Sequence, residues 1–378
     1  MPAAPTSRSN PGRRRRIRRL LALTASLLGA GLMAFLGWFL VEASFEFGEA
    51  EHPKRSGLQW IATSFAESLA RVSYDLPFIF RRTMELPRVH IVYLDEKSAR
   101  LLNTNLSPWD RGLHAQLVRR LTRDGARAVF FDIFFADPGP DPTVDADFAA
   151  AIRENGRVTL GGITENAFDS TDKGGAIQER ALPPTKLLRS AAATWGLLSF
   201  RPMDADYGIR RFYAGTETVP SATWRTAMRL GAPISDSAQE RAVPRWVNYY
   251  GPPGSFPSIS YDRALAPDGL PEGFFKDSIV FIGARSVLGE LMLGKEEFRN
   301  PYSRFGWEFS SGVEVHLTQE LNLLRGDWLR RLDGRLELWL SAAFGLLLGG
   351  LLPLLRPDLA ALAAFIAGLQ KSQAQFCA

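Results

Sequence analysis

One cysteine and four histidines in 378 residues leave this chain short of the commonest metal and redox ligands. The single Cys, at 377, excludes an internal disulfide framework and a cysteine-rich zinc site. His52, His90, His114 and His316 are scattered, with no H-E-x-x-H or other paired spacing for zinc. Also missing are a G-x-S-x-G elbow, a phosphate-binding loop and a dinucleotide fingerprint, and Ser98 has no adjacent His to activate it. No cofactor and no metal is expected, and catalysis is the weaker functional reading. There is no internal repeat, and 46% hydrophobic with 11% aromatic residues is too apolar for a disordered chain. Basic charge is lacking outside the N-terminus. Residues 1–41 hold seven Arg and no acid, whereas residues 42–335 hold 36 Lys and Arg against 38 Asp and Glu. The net charge of +5 is thus a property of the tail, and no nucleic-acid partner is expected.

What is present begins with two uncharged apolar runs. Residues 20–41 form a run of 22, about 33 Å long as a helix, against a hydrocarbon core of about 30 Å. The Arg-rich stretch before it predicts a cytoplasmic tail over residues 1–19. The rival reading, a cleavable signal peptide ending near Val41-Glu42-Ala43, asks for a shorter apolar region. Residues 338–355 form a second run of 18, and residues 359–369 a third, too short to span by itself. Transmembrane helices are therefore predicted at both ends, with residues 42–335 outside the cytoplasm between them. Arg325, Arg330, Arg331 and Arg335 precede the second run on the outer side, against the charge rule, but long domains translocate largely regardless of charge. The tail through 378 reads as a partial or truncated span, a frameshift or a natural stop.

The middle segment alternates its signals. Helical spacing of Leu58, Ile61, Phe65, Leu69, Val72 and Leu76 predicts a helix over 56–82. Strands are predicted at 89–94, 128–135 and 157–161, with helices at 112–123 and 145–155 between them. Further strands are predicted at 246–250 and 278–283, and a helix at 312–324, while 166–220 reads as loops and hairpins. The fold class is α/β: a layered mixed or mostly parallel sheet with flanking helices, plus the transmembrane helices.

In such sheets ligands bind beyond the C-terminal strand ends. The residues there include Asp95 and Ser98 after the first strand, Asp132 in the second, and Arg285 after the late strand. Arg111 opens the first long helix, where an anion is favoured. His316 stands on the last helix, with a structural role as its default. These six, Asp95, Ser98, Arg111, Asp132, Arg285 and His316, are the candidate ligand-binding residues. The competing reading makes Asp95 and Asp110 helix caps and pairs Arg111 with one of them, the commoner use of Asp at such positions. Asp204-Ala205-Asp206-Tyr207-Gly208 reads as an Asx turn rather than a calcium loop, since it lacks the further carboxylates of an EF-hand.

The ordered motifs resemble the CHASE type-2 sensor module of bacterial receptors over about residues 70–325. The resemblance rests on Tyr74-Asp75-Leu76, the VHIVYLDEKS segment at 89–98, Pro108-Trp109 with Arg111, and GARAVFFDIFFADP at 125–138. It continues through 145–151, 206–211, Val247-Asn248-Tyr249-Tyr250-Gly251 with Phe256 and Ile259-Ser260-Tyr261, 275–283 and 311–316. The resemblance implies an extracytoplasmic sensory domain in the bacterial inner membrane, working as a homodimer and followed by a cytoplasmic kinase or cyclase. Two departures stand out: Leu317 replaces a small residue after His316, and an output domain is missing. The expected function is detection of a small ligand or protein partner and passage of that signal across the membrane. The alternatives are a tethered envelope enzyme using Asp95, Asp132 and His316, or a membrane protein whose residues 338–369 dock a separate signalling subunit.

Overall fold

A computed structural model describes residues 20, 24, 26–35, 68, 70–81, 84–105, 108–168, 177–201, 203–285, 297–306, 308–330 and 332–351. The chain divides into two compact units, one of residues 78–329 and one of residues 1–77 with 330–378.

The larger unit is a mixed, mostly parallel seven-stranded sheet with helices on both faces. Its strands are β1 (Val89–Leu94), β2 (Ala128–Phe134), β3 (Val158–Phe168), β4 (Ile177–Leu182), β5 (Thr194–Leu197), β6 (Ser258–Ser260) and β7 (Ile279–Ala284). The spatial order is β4-β3-β2-β7-β1-β6, with β5 also on β3, and only the β3–β4 pair is antiparallel. β7, late in the chain, slots between β1 and β2. A two-stranded ribbon, β8 (Glu297–Phe298) with β9 (Ser310–Ser311), stands apart.

Helices α1 (Glu96–Leu101), α2 (Arg111–Asp124), α3 (Pro142–Asn155), α4 (Lys186–Ala191), α5 (Ala222–Arg229), α6 (Ala238–Ala242), α7 (Tyr261–Leu265) and α8 (Gly312–Arg325) complete the unit. Local chemistry sets their ends. Asp110 caps α2 by accepting from Gly112 N, and Gly125 closes it at φ 76°, a conformation that disfavours a side chain. Asp141 caps α3, with Pro142 at its first position where a missing N–H costs nothing.

Strand alternation splits the core in two. Val92, Leu94, Val129, Phe131, Val280 and Ile282 point to the face covered by α2, α3, α4 and α7. Val89, Ile91, Tyr93, Phe130, Ile279 and Phe281 point to the other, against Val313, Leu317 and Leu321 of α8 and Ala222 of α5.

The layered α/β part of the expectation agrees with this sheet; the transmembrane helices do not. Among the described residues no helix is long and apolar enough to cross a membrane. The reason is visible in α9 (Gly334–Leu351), whose first turn takes in Arg335 and Glu337. Its described apolar stretch, 338–351, measures only about 21 Å. From the first run the longest described helical stretch is residues 26–35, about 15 Å. That stretch approaches α9 closely: a Cβ on Gly345 would lie 2.6 Å from Ala34 N. The basic tail, the third apolar run and most of the helix expected at 56–82 lie outside the described residues.

Two smaller differences have physical causes. Among the described residues, 246–250 form only isolated bridges, from Trp246 to Arg211 and to Leu329, since the neighbouring segments meet them at single rungs. β3 runs on to Phe168 because β4 folds back on it.

Candidate functional site

The carboxyl ends of β1, β7 and β2 lie side by side. Tyr93 registers with Gly283, and Gly283 with Asp132, so the three form one row across the sheet. All point to the face of α8. Gly283 is required there: an added Cβ would sit 2.7 Å from Cβ of Val313, the second residue of α8. The helix start is thereby pressed onto the sheet edge, with polar groups on either side.

On the β1 side, the Tyr93 hydroxyl meets Ser311 Oγ at 3.2 Å. Ser311 and Glu314 form the S-x-x-E capping box of α8, and Glu314 accepts from Ser311 N at 3.3 Å and from Gly254 N at 2.8 Å. The Arg285 guanidinium lies over the Tyr93 ring at 5.3 Å, and its backbone N–H donates to Leu94 O. Burial raises the Glu314 carboxyl above its ordinary range, against the pull of the Gly254 and Ser311 amides, Arg285 and Tyr93. Burial also raises the Tyr93 phenol, helped by the charge of Glu314.

On the β2 side, Asp132 Oδ1 lies 3.5 Å from His316 Nε2. The His316 ring stacks on Phe200 at 4.2 Å and neighbours Phe130 at 5.7 Å. Burial pushes the imidazole down to about 3, a little countered by the Leu198 backbone, so the ring is neutral and its contact with Asp132 is not an ion pair. A base so weak is poorly matched to proton abstraction at neutral pH.

Of the six residues proposed from sequence, Asp132 and His316 meet on the β2 side of Gly283, and Arg285 lies over Tyr93 on its β1 side. Asp95 caps α1, accepting from Ser98 N at 2.7 Å. The Ser98 hydroxyl is buried and donates to Asp262 Oδ1 at 2.8 Å, tying α1 to α7. Arg111 is on the opposite face: it donates to Asp145 Oδ1 at 2.6 Å and to Asp137 O, over the Phe135 ring. The competing reading pairs Arg111 with a neighbouring cap; its partner is instead Asp145, 34 residues on. Asp206 forms the Asx turn to Gly208 N, and Asp204 and Asp206 both pair with buried Arg210. Among the described residues no group of three His, Cys, Asp or Glu is placed to hold a metal.

Tyr93, Ser311, Glu314 and Phe200 were missed. The S-x-x-E spacing was readable for Ser311 and Glu314, and strand alternation puts Tyr93 on the same face as Asp132 once β7 is inserted between them. Nothing local announces Phe200.

Comparison with curated proteins and with solved structures finds no match. The CHASE2 domain model matches residues 56–352, most of the chain, and the chain therefore belongs to the CHASE2 domain family, whose members are sensory, extracellular modules.

Proposed function

We propose that residues 78–329 detect a small polar ligand at the row of Tyr93, Asp132, Arg285, Ser311, Glu314 and His316. The observation that carries the reading is the meeting of three strand ends with the start of α8, in a domain of a sensory family. Arg285 supplies an exposed cation, and the Asp132 side chain is 18% exposed, so both charges are within reach of solvent. A ligand with acceptor atoms for the guanidinium and a donor for Asp132 fits this pair. Among the described residues α8 is the one long helix that starts at this row, and a shift of its first turn is carried along its length. A ligand moves that equilibrium only by binding one state better than the other.

We extend the proposal to an extracytoplasmic placement, to action as a homodimer and to a separate kinase or cyclase as output partner. A protein ligand is the second reading, and a failed small-molecule screen favours it.

Thermal unfolding of the full chain against a panel of small polar molecules and ions tests the site. A ligand at 100 times its Kd adds about 2.7 kcal/mol. The expected hit is lost in Arg285→Ala and kept in Arg111→Ala. The reverse pattern would move the site to the other face of the sheet.

A further inference from the structure

α8 is buried on all sides, and its polar residues fall into two sorts. Thr318 donates to Glu314 O, and Asn322 binds the Asn248 backbone at both its amide and carbonyl and reaches the Tyr250 hydroxyl. The other sort is His316, Gln319 and Glu320, only 1%, 0% and 0% exposed. Among the described residues, neither Gln319 nor Glu320 has a hydrogen-bond partner on any side-chain atom, and neither ring nitrogen of His316 makes a bond of normal geometry. Positions i, i+3 and i+4 share one side of a helix, so the three form a continuous polar stripe inside the protein. Of the three, the carboxyl matters most, because one buried completely with neither cation nor donor is among the costliest groups a fold can hold.

We propose that this stripe is a proton-binding site centred on Glu320, making the domain a sensor of pH in addition to its ligand at the sheet edge. In the structure described, Glu320 holds the proton as a neutral carboxylic acid. Release to solvent leaves a carboxylate that this interior does not accommodate, so the ionised form favours a state in which α8 is less enclosed. The step is one proton exchanged with water, and no other bond changes.

Among the described residues, the charged groups around α8 do not offer the carboxylate an alternative partner. On α5, Arg225 pairs with Asp236 at 3.0 Å and Arg229 is exposed. On β2, Asp132 is itself an acid, beside His316. β7 and β9 carry no ionisable side chain. On the segments against Leu323, Arg210 and Arg211 pair with Asp204, and buried Arg245, over the Trp224 ring, pairs with Glu240. On α8 itself, Glu314 is an acid engaged by Gly254 and Ser311, and Arg325 pairs with Asp327 at 3.1 Å. Consistent with this, burial is the one cause raising the Glu320 carboxyl well above its ordinary value.

The sign of the effect follows. A carboxyl raised in the folded state contributes stability that is complete below its ordinary range and is lost as pH rises toward the raised value. The test is urea unfolding of the full chain between pH 5 and 8, comparing wild type with Glu320→Gln, which keeps the shape of the neutral acid, and Glu320→Leu, which keeps the volume. Relative to either variant, the wild-type unfolding constant should rise by up to about tenfold per pH unit. Gln319→Leu removes an equally buried polar group that does not titrate, and should leave the wild-type slope in place. Infrared difference spectra at pH 7 should show a protonated-carboxyl band that disappears in Glu320→Gln. Parallel pH profiles for wild type and both Glu320 variants, or an unchanged infrared band, would overturn the proposal and leave the sheet-edge site untouched.

Discussion

The two faces of the sheet treat their polar residues differently. Under α2 and α3, polarity is spent on holding helices together: Arg111 with Asp145, Arg119 with Asp147, Ser98 with Asp262, and His114 Nδ1 with the Tyr261 hydroxyl at 2.7 Å. Its exceptions among the described residues are single atoms, such as Trp109 Nε1, His114 Nε2, His90 Nδ1 and Ser278 Oγ. Under α8, the whole side chains of Gln319 and Glu320 are buried without partners among the described residues, beside Thr318 and Asn322, which do pair. A face that satisfies its polar groups has little reason to change. A face that does not has a reason to move when a ligand or a proton arrives. The first face is accordingly read as scaffold and the second as the responsive surface.

The sharpest way to break that comparison is to cut the scaffold. Arg111→Ala leaves Asp145 buried without its cation, and loss of one partner of such a pair costs about 3–5 kcal/mol. Urea unfolding of the variant measures this. The loss should appear in stability alone, with the ligand response of surviving folded protein intact. A lost ligand response at full stability would reverse the assignment of the two faces.

Gly283→Ala probes the other face by force. Its new methyl group meets Val313 Cβ at 2.7 Å, and Asp132 Cβ at 3.2 Å, both on buried or half-buried backbone with little room to yield. Overpacking of this kind costs about 1–3 kcal/mol, and it falls where α8 starts. A melting temperature within a degree of wild type would mean that the helix start is already loose on the sheet.

Much of the scaffold was readable from sequence and much of the responsive face was not. Strands β1, β2 and β7 and helices α2, α3 and α8 follow from apolar periodicity, with Asp110 and Gly125 marking the ends of α2. Periodicity reports which side of an element is buried, not what lies opposite. The row Tyr93–Gly283–Asp132 exists only because β7, some 145 residues after β2, inserts between β1 and β2. For the same reason Arg111 was placed near the ligand, since its partner Asp145 arrives on a different helix. Asp95 takes the competing role, a helix cap, while the tie from Ser98 to Asp262 has no signal in the sequence. The apolar runs at the two ends misled because composition counts uncharged residues, while α9 begins its helix on charged ones.

Acid sharpens the comparison by titrating one histidine on each face. Burial pushes both His114 and His316 down to about 3 from 6.5. A group depressed in the folded state contributes stability that is present above its unfolded value and lost as pH falls toward the folded one. Between pH 6.5 and about 3, each histidine should therefore remove stability with a slope approaching 1.4 kcal/mol per pH unit. This runs opposite to the Glu320 effect, which operates as pH rises. His114→Phe and His316→Phe, unfolded in urea from pH 7 to 4, should each flatten the slope by one proton. If only His114→Phe does so, His316 already reaches solvent and the responsive face is open at rest.

The smallest expected effect asks whether the sheet edge and the start of α8 act as one unit. Ser311→Ala weakens the capping box for about 1 kcal/mol, and Tyr93→Phe removes a hydroxyl hydrogen bond worth about the same. The two hydroxyls face each other at 3.2 Å, so their losses should not add. A double-mutant cycle is expected to show coupling of at least about 0.5 kcal/mol, the level at which contacting residues separate from independent ones. Strict additivity would mean that the strand and the helix are held separately. A ligand touching Tyr93 would then have no path into α8 through Ser311, and the link would have to run through Asp132 and His316 on the other side of Gly283.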